Sequence, residues 1–397
     1  MVSPVYADEL LLPWADSLLE QLPGVRLFDA HTHTGHNDPD GFRSAAHDLV
    51  EALRLVDARA AVFTMHEPDG YSAANDRVLA EAAASEGRLV AYCRVDPRAE
   101  GAAEATRCLD AGARGIKLHP RAERFALHGP DVDAIFAVAD DRRAPVIVHA
   151  GRGIPALGRD ALALAGRFPG ARIILAHAGV CDLGWIWRHA ADHPNLFFDT
   201  AWWSASDLLT LFALVPPGQI LYGSDAPYGT PLEASINALR CALQAGLTAE
   251  QAKAVAGAQL ERLVRWEDPL HLGPAPGSRR LATDLLLDRV HTYLVTGIAR
   301  MLVGQRPDEY LALAALACEV GDDTPQAPVC RSVLALLKLR ERYVAEAGEG
   351  GALEAGWRSA VQAPGIHLVV AAGMVSRTPD VPLPPEPEPV DVGERER

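Results

Sequence analysis

Eight short apolar runs recur along the first two-thirds of the chain, and each is followed by a stretch of helical periodicity. They are Leu27 to Gly35, Ala60 to Met65, Leu89 to Val95, Gly115 to His119, Pro145 to Ala150, Arg172 to His177, Asn195 to Thr200 and Gln219 to Ser224. The spacing, roughly 20 to 35 residues, fits one strand, one helix and two loops per unit. The runs are rich in Val, Ile, Leu and Phe, as strands covered on both faces should be. Between them lie helical patterns such as Ala74 to Ala84 and Ala102 to Ala111. Eight β/α units in about 230 residues predict an α/β fold, a closed (β/α)8 TIM barrel. A doubly wound open sheet is the alternative. The barrel is preferred because polar residues end most of the eight runs, not only those beside one crevice.

The repeat stops near Trp266, and Gly273 to Gly277 reads as a linker. The expected division is a barrel over 1–268, a mostly helical C-terminal extension over 269–377 and a disordered tail over 378–397, rich in Pro, Glu and Asp. In the extension, Arg280 to Gly304, Asp308 to Val320 and Val329 to Ala347 carry helical patterns. Gly365 to Met374 reads as a strand or a buried segment, since periodicity does not separate the two. Residues 3–22 read as a helix interrupted at Pro13.

At 397 residues and 49% hydrophobic, the chain can bury a large core. A formal net charge of −15 argues against nucleic acid or an anionic membrane surface as a partner. No apolar run is long enough for a membrane span. Six scattered cysteines without a Cys-x-x-Cys pair predict free thiols, and with no basic leader at the N-terminus the expectation is a cytoplasmic protein.

Chemistry-bearing side chains collect where the runs end. The first run ends in Asp29-Ala30-His31-Thr32-His33, where alternation puts Asp29, His31 and His33 on one face. Two such imidazoles can hold one divalent ion. The fourth run gives Lys117 and His119, the fifth His149, the sixth His177 and the eighth Asp225. A barrel presents these positions at its open mouth. A buried cluster of this kind without a cation would leave polar groups unsatisfied. Asp29 lies deeper and reads as support for the cluster. His66 and Tyr228 follow run ends where they can bind a substrate anion or ring, and Trp202 and Trp203 follow the seventh run where they can wall a pocket, with ordinary loop structure the favoured reading of all four; His291 and His367 read as surface or structural.

These motifs, with Gly115-Ile116-Lys117-Leu118-His119-Pro120, Ala176-His177-Ala178-Gly179 and Gly223-Ser224-Asp225, resemble the amidohydrolase superfamily. The similarity is to the amidohydrolase-related branch of metal-dependent hydrolases and non-oxidative decarboxylases. It covers about residues 25 to 266 and leaves the C-terminal part unmatched. The resemblance implies His31, His33, His149 and Asp225 as ligands of one divalent metal, zinc with manganese as the alternative. It implies Asp225 and His177 as catalytic, and Lys117, His119 and Arg152 as substrate contacts. A carboxylated Lys117 bridging two metals is the minority reading of that position. The expected activity is hydrolysis of an ester, lactone or amide of a small molecule. The alternatives are decarboxylation of a small carboxylic acid and a non-catalytic metal-bound binding domain. The sequence leaves a homo-oligomer open.

Overall fold

The computed structural model describes residues 8–39, 41–151, 154, 157–278, 281–347 and 365–384. Eight strands run in sequence order around one sheet: β1 Phe28–Thr34, β2 Arg59–Thr64, β3 Leu89–Arg94, β4 Gly115–Leu118, β5 Pro145–Val148, β6 Arg172–Leu175, β7 Leu196–Asp199 and β8 Ile220–Leu221. Every neighbouring pair is parallel. The segment after β8 pairs back onto β1. Ala30 N–H donates to Tyr222 O at 2.8 Å, His33 N–H to Ala226 O at 2.8 Å and Asp225 N–H to His31 O at 2.8 Å. These bonds close the sheet, so the expected (β/α)8 barrel is present. They also lock the two segments richest in site residues to each other.

Inside the barrel, Phe28, Ala30, Phe63, Tyr92, Ile147, Ile174, Phe197 and Leu221 form one buried cluster. Leu260 and Leu263, after β8, close its lower end. Side-chain amides satisfy the strand entries there. Gln219 Nε2 donates to Ala190 O, His193 O and Leu196 O, and Asn195 Nδ2 to three carbonyls in the same way. Such groups on the N-terminal face serve stability.

The helices that wrap the barrel are α1 Leu12–Glu20, α2 Ala46–Arg54, α3 Ser72–Ala84, α4 Gly101–Asp110, α5 Pro130–Arg142, α6 Leu157–Arg167, α7 Leu183–Ala190, α8 Ala205–Leu214, α9 Pro231–Gln244, α10 Ala249–Lys253 and α11 Gln259–Val264. Asp8–Leu11 forms a 3-10 turn that passes into α1 at Leu12, so the helical stretch changes type beside Pro13. Pro13 sits in the first turn of α1, where its missing N–H costs nothing.

The C-terminal part is helical: α12 Leu285–Met301, α13 Asp308–Ala317, α14 Ala327–Ala347 and α15 Ile366–Arg377. The stretch left open between strand and buried segment is α15, a buried helix. Its residues from Ile366 to Ser376 are buried on every side, so no amphipathic period was there to be read. It packs against α12, α14 and the barrel helices α8 and α9. The start of the expected tail is also packed. Thr378 is fully buried, and the buried Arg240 of α9 donates to Thr378 Oγ1 at 2.8 Å, Thr378 O at 2.9 Å, Val381 O at 3.3 Å and Pro382 O at 3.2 Å. Low apolar content hid this segment, because its fixed points are backbone carbonyls. Residues 385–397 lie outside the described residues. Among the described residues, no helix is long and apolar enough to cross a membrane.

Candidate metal centre

The register between β1 and β2 shifts between Asp29 and Thr32. Phe28 and Ala30 therefore point into the barrel before the shift, and His31 and His33 after it. Asp29 falls out of step with the two histidines, so simple alternation misplaces it. Its Oδ1 accepts from His31 N–H at 2.9 Å and Ser224 N–H at 3.0 Å, pinning β1 to the segment after β8. Burial pushes its carboxyl up to about 7.

His177 is brought in by backbone strain. Ile174 and Ala176 face the barrel interior, so alternation alone would turn His177 outward. A φ of 58° at His177 and 56° at Ala178 turns the chain back to the mouth. Asp225 has a φ of 60°. Left-handed backbone at non-glycine residues costs free energy and clusters at functional sites. At β5, His149 is accommodated by Gly151, where a Cβ would lie 2.8 Å from His149 Nε2.

The side chains converge as follows. Asp225 Oδ1 lies 3.1 Å from both His31 Nε2 and His33 Nε2. Donor atoms of His31, His177 and Asp225 all lie within 4.8 Å of one another. Asp199, at the end of β7, approaches His31 Nδ1 at 2.8 Å with Oδ2, and its Oδ1 accepts from His177 N–H and Ala201 N–H. His149 stands behind this group, its Nδ1 2.9 Å from His177 Nε2. His119 stacks on His149 with ring centroids 3.9 Å apart, and Lys117 Nζ lies 3.3 Å from His31 Nε2. Burial first, then neighbouring positive groups, pulls His31, His33, His119 and His149 well below the usual histidine range. His177 is lowered by burial too, against the pull of Asp199. Burial also draws Lys117 down to about 7.

This donor set suits a divalent cation. The hydrogen bond to Asp199 places the proton of His31 on Nδ1, which turns the Nε2 lone pair toward Asp225. With that lone pair and the Asp225 carboxylate 3.1 Å apart, a bound cation would satisfy both. His33 Nδ1 and His149 Nε2 are buried without a hydrogen-bond partner among the described residues. Neutral imidazoles and a carboxylate are zinc-type ligands, and an outer carboxylate on a ligating histidine is the usual second contact.

A cavity of about 510 Å³ opens above this centre. His149, His177 and Asp225 form part of its lining, and 22% of the Asp225 side chain is exposed. Trp202, Trp203 and Tyr228, for which the sequence favours loop structure over a pocket wall or substrate contact, wall the cavity; Tyr228 Oη donates to Asp38 Oδ2 at 2.5 Å. Lys117 and His119 contact histidines and are not part of that lining. Arg152 lies outside the described residues. Sequence reading missed Asp199, although it ends the seventh run as the other site residues end theirs. It also missed Arg121, which lines the cavity, and the wall supplied by Ile298 of α12, Leu302 just after it, and Ile366, His367 and Val370 of α15.

A closed parallel barrel with imidazoles and a carboxylate gathered at the C-terminal ends of its strands defines a metal-site barrel enzyme class. The chain belongs to the amidohydrolase family, whose model matches residues 28–258. No curated protein matches it significantly. Similar solved structures include 5-carboxyvanillate decarboxylase from Sphingomonas paucimobilis, with 14% identity over 61% of this chain and 99% of that one and a TM-score of 0.49. They also include 2,6-dihydroxybenzoate decarboxylase from Rhizobium, with 14% identity over 61% and 99% and a TM-score of 0.47. A third is 5-carboxyvanillate decarboxylase from Novosphingobium aromaticivorans, complexed with manganese and a nitrobenzoic acid, with 14% identity over 61% and 96% and a TM-score of 0.48.

Proposed function

We propose that the chain is a metal-dependent hydrolase of a small-molecule ester, lactone or amide. The observation that carries this reading is the position of Asp225, whose carboxylate touches both β1 histidines and is still open to the cavity. His31, His33 and Asp225 would hold one divalent ion, zinc or manganese, and the His149–His177 pair would supply the remaining nitrogen. Bound there, such an ion supplies Lewis acidity, acidifying water and polarising a carbonyl. Asp225 accepts the proton of the attacking water and returns it to the leaving group. Asp199 holds His31 in one tautomer. His177 donates its Nδ1 proton to Ala201 O at 2.9 Å, so its neutral ring offers the Nε2 lone pair to the ion, and the proton transfers fall to Asp225. Trp202, Trp203 and Tyr228 exclude bulk water from the reacting carbon.

The second reading is release of CO₂ from a small carboxylic acid. Arg121 favours it, because a guanidinium in the cavity lining can hold a carboxylate. The test is turnover by protein loaded with Zn²⁺ or Mn²⁺, offered esters, lactones, amides and carboxylated aromatics, with acid product and CO₂ both measured. Acid release without CO₂ is the expected result. CO₂ release without water consumption replaces hydrolysis by decarboxylation, and turnover of neither set by metal-loaded protein overturns both.

A further inference from the structure

Two lines of side chains lead from the metal centre to the C-terminal extension. On one side the His177 ring meets Trp202 with centroids 6.2 Å apart, and Trp202 meets Trp203 at 6.1 Å. Trp202 is held in place, because its Nε1–H donates to Asp207 Oδ2 at 2.7 Å. Trp203 packs against the core cluster that includes Ile298 of α12 and Val370 of α15. On the other side Tyr228 stands edge-on to His33 with centroids 5.3 Å apart. Tyr228 and Leu302, the residue just after α12, both pack on the buried pair Phe42 and Met65. The extension therefore closes over the site from both flanks, and Leu302 and Val303 line the cavity that holds Asp225. The surface left open there is hydrocarbon. Val303 is 66% exposed, and Leu302, Trp202, Trp203 and Tyr228 are half-buried. α12 also carries Asp288, Arg289 and Arg300, yet none of them lines the cavity. The one ionisable side chain that the described extension brings to the cavity, His367, is buried with its Nδ1 3.3 Å from Glu233 Oε2. A contiguous apolar wall left open above a catalytic centre marks a ligand groove.

We propose that Trp202, Trp203, Leu302 and Val303 form a pocket for an uncharged hydrocarbon group of the substrate, so that the extension selects bulky apolar esters, lactones or amides over short or ionic ones. The inference rests on the cavity being the substrate site of the hydrolase reading. Indole rings on one side and aliphatic side chains on the other hold such a group by burial and dispersion. The cavity, about 510 Å³, has the size that takes a drug-sized ligand and leaves an acetyl-sized one loosely held. Arg121 also lines the cavity and would favour an anionic end instead, so a carboxylate-ended probe decides between the two. Because α12 and α15 lie beyond the residues that match the family model, this selectivity belongs to the chain's own extension.

The test is calorimetric titration of the full Zn²⁺-loaded chain with straight-chain hydroxamic acids, from acetohydroxamate to octanohydroxamate, and with the ω-carboxylated hydroxamate of each length. The metal-binding head is the same throughout, so differences within the series report the wall that the tail meets. Each added methylene tightens binding about fourfold until the wall is covered, the worth of one buried CH₂, and the ω-carboxylate loses that gain. Leu302→Asp flattens the series. Equal affinity at every length in the wild type overturns the pocket, as does binding of no member. Tighter binding of the carboxylated probe overturns it in favour of Arg121. None of these results needs the variant to fold. Ethyl esters of the same acids separate the two readings. Length-dependent binding without cleavage of any ester removes the hydrolase reading and leaves the pocket; cleavage with flat affinity does the reverse.

Discussion

Asp199 Oδ2 lies 2.8 Å from His31 Nδ1, with both side chains shut off from solvent. The other Asp199 oxygen accepts two backbone N–H groups, so the carboxylate is fixed before it meets the ring. An amide at 199 can keep the backbone bonds through its oxygen, but it carries no charge and can present a donor to Nδ1. Asp199→Asn is expected to keep the fold and weaken Zn²⁺ binding about 10- to 100-fold, the usual cost of losing an outer carboxylate. Competition against a chromophoric chelator measures it. Unchanged affinity would show that the pair does not tune the ligand.

Asp225 is expected to do more than bind. An amide there can still offer an oxygen toward the β1 histidines but cannot take a proton at neutral pH. Asp225→Asn should retain part of the metal and lose activity by about 10² to 10⁴. The check is turnover divided by metal content, beside a melting curve. Near-normal turnover per metal would leave Asp225 as a ligand only.

Much of this arrangement is readable from residue type and position. His31, His33, His149, His177 and Asp225 follow apolar runs, and barrel geometry sends run ends to one mouth. What escapes is set by contacts between distant parts of the chain. Asp199 carries the same signal as the others, yet its role appears only when β7 is set beside His31. The bulge in β1 is invisible in a pattern of period two, so Asp29 is placed on the wrong face. A helix buried on all sides, like α15, has the same composition as a buried strand.

The C-terminal boundary gives a third expectation. Arg240 is buried, and its acceptors are Thr378 Oγ1 and the carbonyls of Thr378, Val381 and Pro382. A chain ending at Pro384 should keep the wild-type melting temperature. A chain ending at Arg377 leaves a buried guanidinium without them and should lose several kcal/mol, on the scale of a broken buried charge contact, about 3–5 kcal/mol. Thermal and urea unfolding of the two truncations decide it. Equal stability would mean that Arg240 finds water or other acceptors.

Lys117 supplies the pH dependence. Its side chain is fully buried, and desolvation draws its pKa from the ordinary 10.5 down to about 7, against the pull of Asp225 and Asp199. In the unfolded chain the amine keeps its proton up to about 10.5. Between those values the unfolded state binds more protons, so this group raises folding stability as pH rises. Below about 7 both states are protonated and the penalty for burying the charge is at its fullest. Above 10.5 neither carries the proton and the penalty is gone. Other groups titrate in the same range, and the difference between wild type and Lys117→Met isolates this one. In metal-free protein, urea unfolding across the alkaline range should show the wild type gaining on Lys117→Met as pH increases. Parallel curves would mean that Lys117 stays charged in the fold, held by its carboxylate neighbours, and would remove the neutral amine from the account of the site.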